Sequence, residues 1–225
     1  MLGNKHNAPL FDKAVFEHVG TQALNHARAV ALKLNKTLRE HPSYVLGITS
    51  AVPGEGKSTV SRALAEVLGT DFAHEVVLVD LHAERPSLLT DAAQRMARPG
   101  LNNWARSDQV LDDVLITNAG WTALVCGTGA PTSLDLLHTI TRHSALTRLR
   151  ERFPVVLLDL PPLSNAAGPA LANLCDGVVL VTRAGKTPAD VVKAALPSLR
   201  DVQVHGVVLN RRQRATPRLL HRLWA

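Results

Sequence analysis

The sequence predicts an α/β fold: a doubly wound, mostly parallel sheet with helices on both faces and an N-terminal helical extension. Three observations predict it. Apolar runs at 44–49, 76–80, 123–126, 155–160, 177–182 and 204–209 are continuous rather than alternating, as strands covered on both faces require. Helix-length segments at 58–68, 134–151, 166–174 and 188–199 separate them, and such strand–helix alternation builds a parallel sheet through crossovers. A glycine-rich turn joins the first run to the first of these helices.

The elements follow in order. Residues 1–10 read as a leader. Over 11–39 the positions Val15, Phe16, Val19, Leu24, Ala27, Val30, Leu34 and Leu38 recur at three- and four-residue steps, giving one or two amphipathic helices broken near Gly20. His41-Pro42 ends them, because the residue before proline avoids the helical region. The organisation is therefore a helical extension over 1–43, a nucleotide-binding domain over 44–210 and a basic tail over 211–225. A length of 225 residues suits one such domain, and 46% hydrophobic against 20% charged residues excludes a disordered chain.

Tyr44-Val45-Leu46-Gly47-Ile48 runs into Gly54-Glu55-Gly56-Lys57-Ser58-Thr59, and Val60, Leu64, Val67 and Leu68 then follow at helical spacing. Strand, glycine turn and helix are the setting a phosphate-binding loop needs, so the expected fold is a P-loop NTPase. The glycines let successive N–H groups converge on one centre. The helix start adds unpaired N–H groups and the positive end of its dipole. Lys57 would neutralise β/γ-phosphate charge and the Ser58 hydroxyl would ligate Mg²⁺. The strict eight-residue pattern is broken, since Ala51 stands where its first glycine belongs.

Mg²⁺ needs oxygen ligands, and two aspartates end apolar strands where a sheet's C-terminal edge meets its ligand crevice. Asp80 closes Val76–Val79, and Asp159 closes Val155–Leu158 ahead of Leu160-Pro161-Pro162. Asp159 is the better candidate for the Walker B carboxylate. Asn210 ends the last run, where its amide could read an adenine edge.

Cys126 and Cys175 have neither paired nor metal-ligand spacing and read as reduced core residues of a cytosolic protein. No apolar run reaches the roughly 18 residues of a membrane span, and no signal sequence is expected. The formal charge of +6 admits nucleic acid, an anionic membrane or an acidic protein as partner. Much of it lies in Arg211, Arg212, Arg214, Arg218 and Arg222 of the tail.

Ser50-Ala51-Val52-Pro53-Gly54-Glu55-Gly56-Lys57-Ser58-Thr59 closely resembles the Walker A of the bacterial tyrosine kinases, cytosolic ATP-binding modules of capsule and exopolysaccharide systems. Val77-Leu78-Val79-Asp80 with Arg85-Pro86-Ser87-Leu88 is similar to their Walker A′, and Leu158-Asp159-Leu160-Pro161-Pro162 to their Walker B. Pro99–Asn102, Ser133–Leu137, Asp176–Val181 with Arg183, Gly185 and Thr187, and Gly206–Asn210 extend the likeness over 44–210. The related ParA and MinD proteins carry a signature lysine early in the loop, where this chain has Val52.

The resemblance implies ATP and Mg²⁺ as cofactors and a role in polysaccharide synthesis or export. It also implies a membrane-embedded chain-length regulator as partner, met in the cytoplasm at the inner face of the cell membrane. Pro53, Gly54, Glu55, Gly56, Lys57, Ser58, Thr59 and Asn210 would bind the nucleotide, and Ser58, Asp80 and Asp159 the metal. Lys57, Asp80, Asp159 and His82 would carry kinase-like or ATP-hydrolysing chemistry.

Departures from the family qualify this. Its members usually have D-x-D-x-R in Walker A′, the second Asp being a candidate base; here His82 and Glu84 replace that Asp and the Arg. The family's substrate is commonly a C-terminal tyrosine cluster, whereas Tyr44 is the chain's single tyrosine. Glu17, Gly20 and Ala23 stand at the steps of an oligomerisation motif without its basic residues. The expectation is thus an ATP-binding protein with weakened kinase activity, self-association undecided and nucleic acid disfavoured. The alternative is a ParA/MinD-like ATPase whose tail, with Leu219, Leu220 and Leu223 between basic residues, binds membrane or DNA.

Overall fold

The computed structural model describes residues 19–84, 88–89, 98–107, 109–129 and 132–211. The helical expectation for 11–18, the Arg85-Pro86-Ser87 segment and the tail beyond Arg211 lie outside the described residues. Helix α1 (Thr21–Glu40) precedes β1 (Tyr44–Ser50), α2 (Lys57–Thr70) and β2 (Val76–Asp80). Then come α3 (Leu101–Ala105), β3 (Ile116–Asn118), β4 (Trp121–Leu124), α4 (Ser133–Arg142) and α5 (Ala145–Arg152). The chain continues through β5 (Val155–Asp159), α6 (Gly168–Ala172), β6 (Gly177–Arg183), α7 (Ala189–Ala195) and β7 (Gln203–Asn210).

The seven strands form one sheet in the order β3-β4-β2-β5-β1-β6-β7, parallel except for the β3–β4 pair. Strand periodicity divides the core. Tyr44, Leu46 and Ile48 face α1 and α2, while Val45 faces the side covered by α3 to α6. Every residue of β1, β2 and β5 is buried, which is why these runs are apolar throughout. Helix α1 starts just after Gly20 and buries Ala23, Ala27, Ala31, Leu34 and Leu38, a stripe at helical spacing. Small residues along the first turns of that stripe let α1 lie close against α2.

Three expectations change. The single helix over 134–151 is two, because Ser144 at φ 50° turns the chain between α4 and α5. The run at 123–126 becomes β4 at Trp121–Leu124, paired with a short strand β3 that has too few residues to show a period. The helix over 188–199 is α-helical only to Ala195, and a 3₁₀ turn follows at Leu196–Leu199, where Pro197 lacks the N–H to continue.

The sheet order fixes where ligands meet the fold. Strand β5 lies between β1 and β2, and its neighbours' connections leave on opposite sides, so the crevice opens beyond the C-terminal ends of these three strands.

Ser144 holds a left-handed conformation that costs an L-residue about 1–2 kcal/mol. Ser144→Gly is therefore expected to raise stability by about 1 kcal/mol in denaturant unfolding, and Ser144→Val to lower it.

Candidate nucleotide site

The loop after β1 is shaped by two glycines, Gly54 at φ 80° and Gly56 at φ 88°. A Cβ on Gly56 would lie 2.1 Å from Asn210 Nδ2, so this glycine is required both by its backbone angle and by a close neighbour. Ala51 has no such demand: it is not among the residues with positive φ, and the missing first glycine of the pattern costs the loop nothing there. Helix α2 begins at Lys57, and the first helical turn closes with Val60 N–H on the Gly56 carbonyl. The amides before Val60 have no intrahelical acceptor and are available to an anion. Pro53 and Gly54 are exposed at the mouth of the loop, with Ser58 and Thr59 half-buried on the first helical turn.

Lys57 is buried with 6% of its surface exposed. Burial pushes its pKa below the usual lysine value, opposed by the charges of Asp159, Glu55 and Asp80. Desolvation wins over three carboxylates, so an anion at the loop would restore what the ammonium lost on leaving water.

Asp80 and Asp159 are register partners on the adjacent parallel strands β2 and β5. They are 0% and 1% exposed. Asp80 Oδ1 accepts the His82 N–H at 2.9 Å and Oδ2 the Leu88 N–H at 3.3 Å, which shapes the chain leaving β2. Asp159 Oδ1 accepts from Ser61 Oγ at 3.0 Å, a hydroxyl shared with the Lys57 carbonyl at 3.1 Å. Asp159 Oδ2 is buried without a hydrogen-bond partner. An orphaned carboxylate oxygen beside a buried ammonium is what a divalent cation and its phosphate would satisfy, so the residues present fit Mg²⁺.

His82 joins them. Its ring Nε2 lies 2.6 Å from the Leu160 carbonyl and its Nδ1 3.9 Å from Asp159 Oδ2. One ligand atom each of Asp80, His82 and Asp159 fall within 4.8 Å of one another.

Two expected binding residues act differently. The Glu55 side chain turns inward, 1% exposed, leaving only its main chain at the loop. Its Oε1 accepts from Thr182 Oγ1 (3.0 Å), Arg183 N–H (3.1 Å) and Thr187 Oγ1 (2.7 Å), and its Oε2 from Val52 N–H (3.1 Å). These bonds hold the carboxyl below its usual pKa against the opposing effect of burial. Asn210 donates from Nδ2 to the Glu55 carbonyl at 2.9 Å and accepts the Arg211 N–H at Oδ1 (2.9 Å). Each end of the amide thus carries a bond that braces the loop.

Sequence reasoning missed Ser61 and the role of Glu84. Ser61 stands one helical turn after Lys57, and that spacing was the available signal. Glu84 accepts from the Ser133 N–H (2.8 Å) and Oγ (2.6 Å) at the start of α4, a contact across 49 positions with no local signature.

No protein-family model matches the chain. It is 27% identical over 186 residues to the tyrosine-protein kinase CpsD of Streptococcus agalactiae, covering 80% of each chain. It is 28% identical over 202 residues to the succinoglycan biosynthesis transport protein ExoP of Rhizobium meliloti, of which the match covers 24%. Among solved structures, the kinase domain of VpsO superposes with a TM-score of 0.74 at 29% identity, covering 85% of this chain and 95% of that one. The cell division ATPase MinD of Pyrococcus furiosus shares the fold (TM-score 0.63, 18% identity, 77% and 74% covered). In sequence and fold the chain thus resembles the bacterial tyrosine kinases, and it shares the fold of the MinD ATPase.

Glu55→Gln puts an NH₂ donor against the Val52 N–H and is expected to cost about 1–2 kcal/mol at pH 7. The native carboxylate has a lowered pKa, so its contribution is complete above the ordinary carboxylate range and disappears as pH falls through the lower folded value. The stability gap between the two proteins, measured by denaturant unfolding, should therefore close in acid.

Proposed function

We propose that this chain is an ATP-binding P-loop protein that acts in exopolysaccharide or capsule synthesis or export, through nucleotide-dependent contacts with a membrane-embedded chain-length regulator. The observation that carries it is the convergence of the Lys57 loop with Asp80 and Asp159 at one end of three adjacent strands. A loop that served only to join strand and helix would need neither a desolvated ammonium nor an unpartnered carboxylate oxygen opposite it. The resemblance to CpsD, ExoP and VpsO supplies the process. No helix among the described residues is long and apolar enough to cross a membrane.

In this reading the amides from Gly54 to Thr59 and the Lys57 ammonium grip the β- and γ-phosphates. Ser58, Asp80 and Asp159 would hold Mg²⁺, which supplies charge neutralisation on those phosphates when bound. Ser61 fixes the Asp159 carboxylate, and Glu55 with Asn210 keeps the loop in its open-amide shape. His82 is poorly placed as a base for an outside hydroxyl, since Nε2 is held by the Leu160 carbonyl and Nδ1 faces Asp159. Tyr44 is no substitute acceptor: it is buried and its hydroxyl lies 2.7 Å from His205 Nε2. In this reading phosphoryl transfer is weakened, and any acceptor tyrosine is supplied by another molecule.

Lys57→Met is expected to weaken ATP–Mg²⁺ binding in calorimetry by on the order of 100-fold, close to 3 kcal/mol. Thermal unfolding should be unchanged or shifted upward, because a desolvated charge has been removed. Equal ATP affinity in the two proteins would overturn the reading. Labelled ATP should leave no label on Tyr44.

A further inference from the structure

The histidine of the Asp80–His82–Asp159 cluster has a contact that the nucleotide reading leaves unexplained. A carbonyl only accepts, so the 2.6 Å contact with the Leu160 carbonyl places a hydrogen on His82 Nε2. In the uncharged ring Nδ1 then carries a lone pair, and it faces Asp159 Oδ2 at 3.9 Å. That oxygen is buried and unpartnered. Two electron-pair donors opposed in a buried site call for a positive centre between them, which a proton or a metal ion supplies. Their separation is less than twice a metal–ligand bond of about 2.1 Å, so one ion can reach both.

The surroundings match a ligating imidazole. Metal-bound histidines commonly donate their second ring N–H to a backbone carbonyl, which fixes tautomer and ring orientation. Leu160 supplies that carbonyl. The His82 N–H on Asp80 Oδ1 closes the segment so that ring and carboxylate stay on one side. The ring is held at Nε2, and the side chain is only 12% exposed.

We infer that His82 Nδ1 is a direct ligand, together with Asp80 and Asp159, of a divalent transition ion such as Mn²⁺, which this site takes in preference to Mg²⁺. The inference rests on the nucleotide-site reading and concerns which cation serves it. Mg²⁺ is a hard ion that demands oxygen ligands and sheds water reluctantly, whereas first-row transition ions accept imidazole beside carboxylate, Mn²⁺ the least strongly of that series. One nitrogen among the ligands therefore tilts the site away from Mg²⁺. An aspartate at 82 would leave it all-oxygen.

The test uses the full chain with Mn²⁺ alone and Mg²⁺ alone, each with and without ATP. Calorimetry should show Mn²⁺ binding at least about 10-fold tighter than Mg²⁺, and pulsed electron paramagnetic resonance should show ¹⁴N modulation of the bound Mn²⁺. In His82→Asp the modulation should vanish and the Mn²⁺ preference fall by on the order of 10-fold, with His82→Asn as a second variant that also removes Nδ1. Bound Mn²⁺ without ¹⁴N modulation, or an unchanged preference in both variants, overturns the inference. So does tight ATP–Mg²⁺ binding with no Mn²⁺ preference, which leaves the nucleotide reading standing. Failure to bind ATP with either ion sinks the nucleotide reading itself.

Discussion

The pairing of β5 between β1 and β2 is the constraint on which the site depends. Adjacent parallel strands point the same way, so the loop after β1 and the terminal residues of β2 and β5 arrive at one edge. Register then sets the finer placement: Asp159 is opposite Ile48 on one side and Asp80 on the other. A slip of one residue would turn either carboxylate to the opposite face of the sheet. Burial of every side chain on these strands makes such a slip costly, because it would reverse two packed faces at once. The hydrophobic core and the charged site are therefore specified by the same register.

Holding the loop open for an anion leaves its main-chain donors without partners, and the surrounding residues compensate. Glu55 is the main strut: a buried carboxylate with four donors, joining the loop's start to the end of β6 and the turn beyond it. Asn210 adds a second tie from the end of β7 to the Glu55 carbonyl. The Leu163 N–H on the Ser50 carbonyl (2.7 Å) and the Ser164 N–H on Ala51 (3.2 Å) tie in the segment after β5. Strands β1, β5, β6 and β7 thus all brace one short loop. Preorganisation of this kind lets a phosphate bind without ordering the backbone at that moment.

The departures from the family pattern acquire physical meaning in this frame. Ala51 is tolerated because no positive φ is needed there. Glu84, in the family's arginine position, pairs with the start of α4 and so holds the segment after Asp80 to the helical layer. Its carboxyl lies below the usual range, since the bonds from Ser133 outweigh burial. His82 brings a nitrogen donor to the Asp80 and Asp159 carboxylates. Cys126 and Cys175 are the buried thiols the sequence suggested, with burial pushing Cys126 up to about 12.

Much of this protein could be read along the chain, because its signals are local. Continuous apolar runs identify strands covered on both faces, helical spacing identifies α1 and α2, and the glycine–lysine turn identifies the phosphate loop wherever the sheet places it. Asp80 and Asp159 were readable as strand-ending acids. The break at Ser144 and the three-residue β3 were not, since an unfavoured backbone angle and a very short strand leave no periodicity. Nor could the chain alone distinguish side chains that face the ligand from those that brace the loop. Glu55 and Asn210 sit in or beside the motif, yet their partners lie 127 to 155 positions away. The same holds for His82 and the Leu160 carbonyl, 78 positions apart. Local composition decides which elements form; strand order and register decide which side chains meet, because those contacts exist only once distant strands have paired.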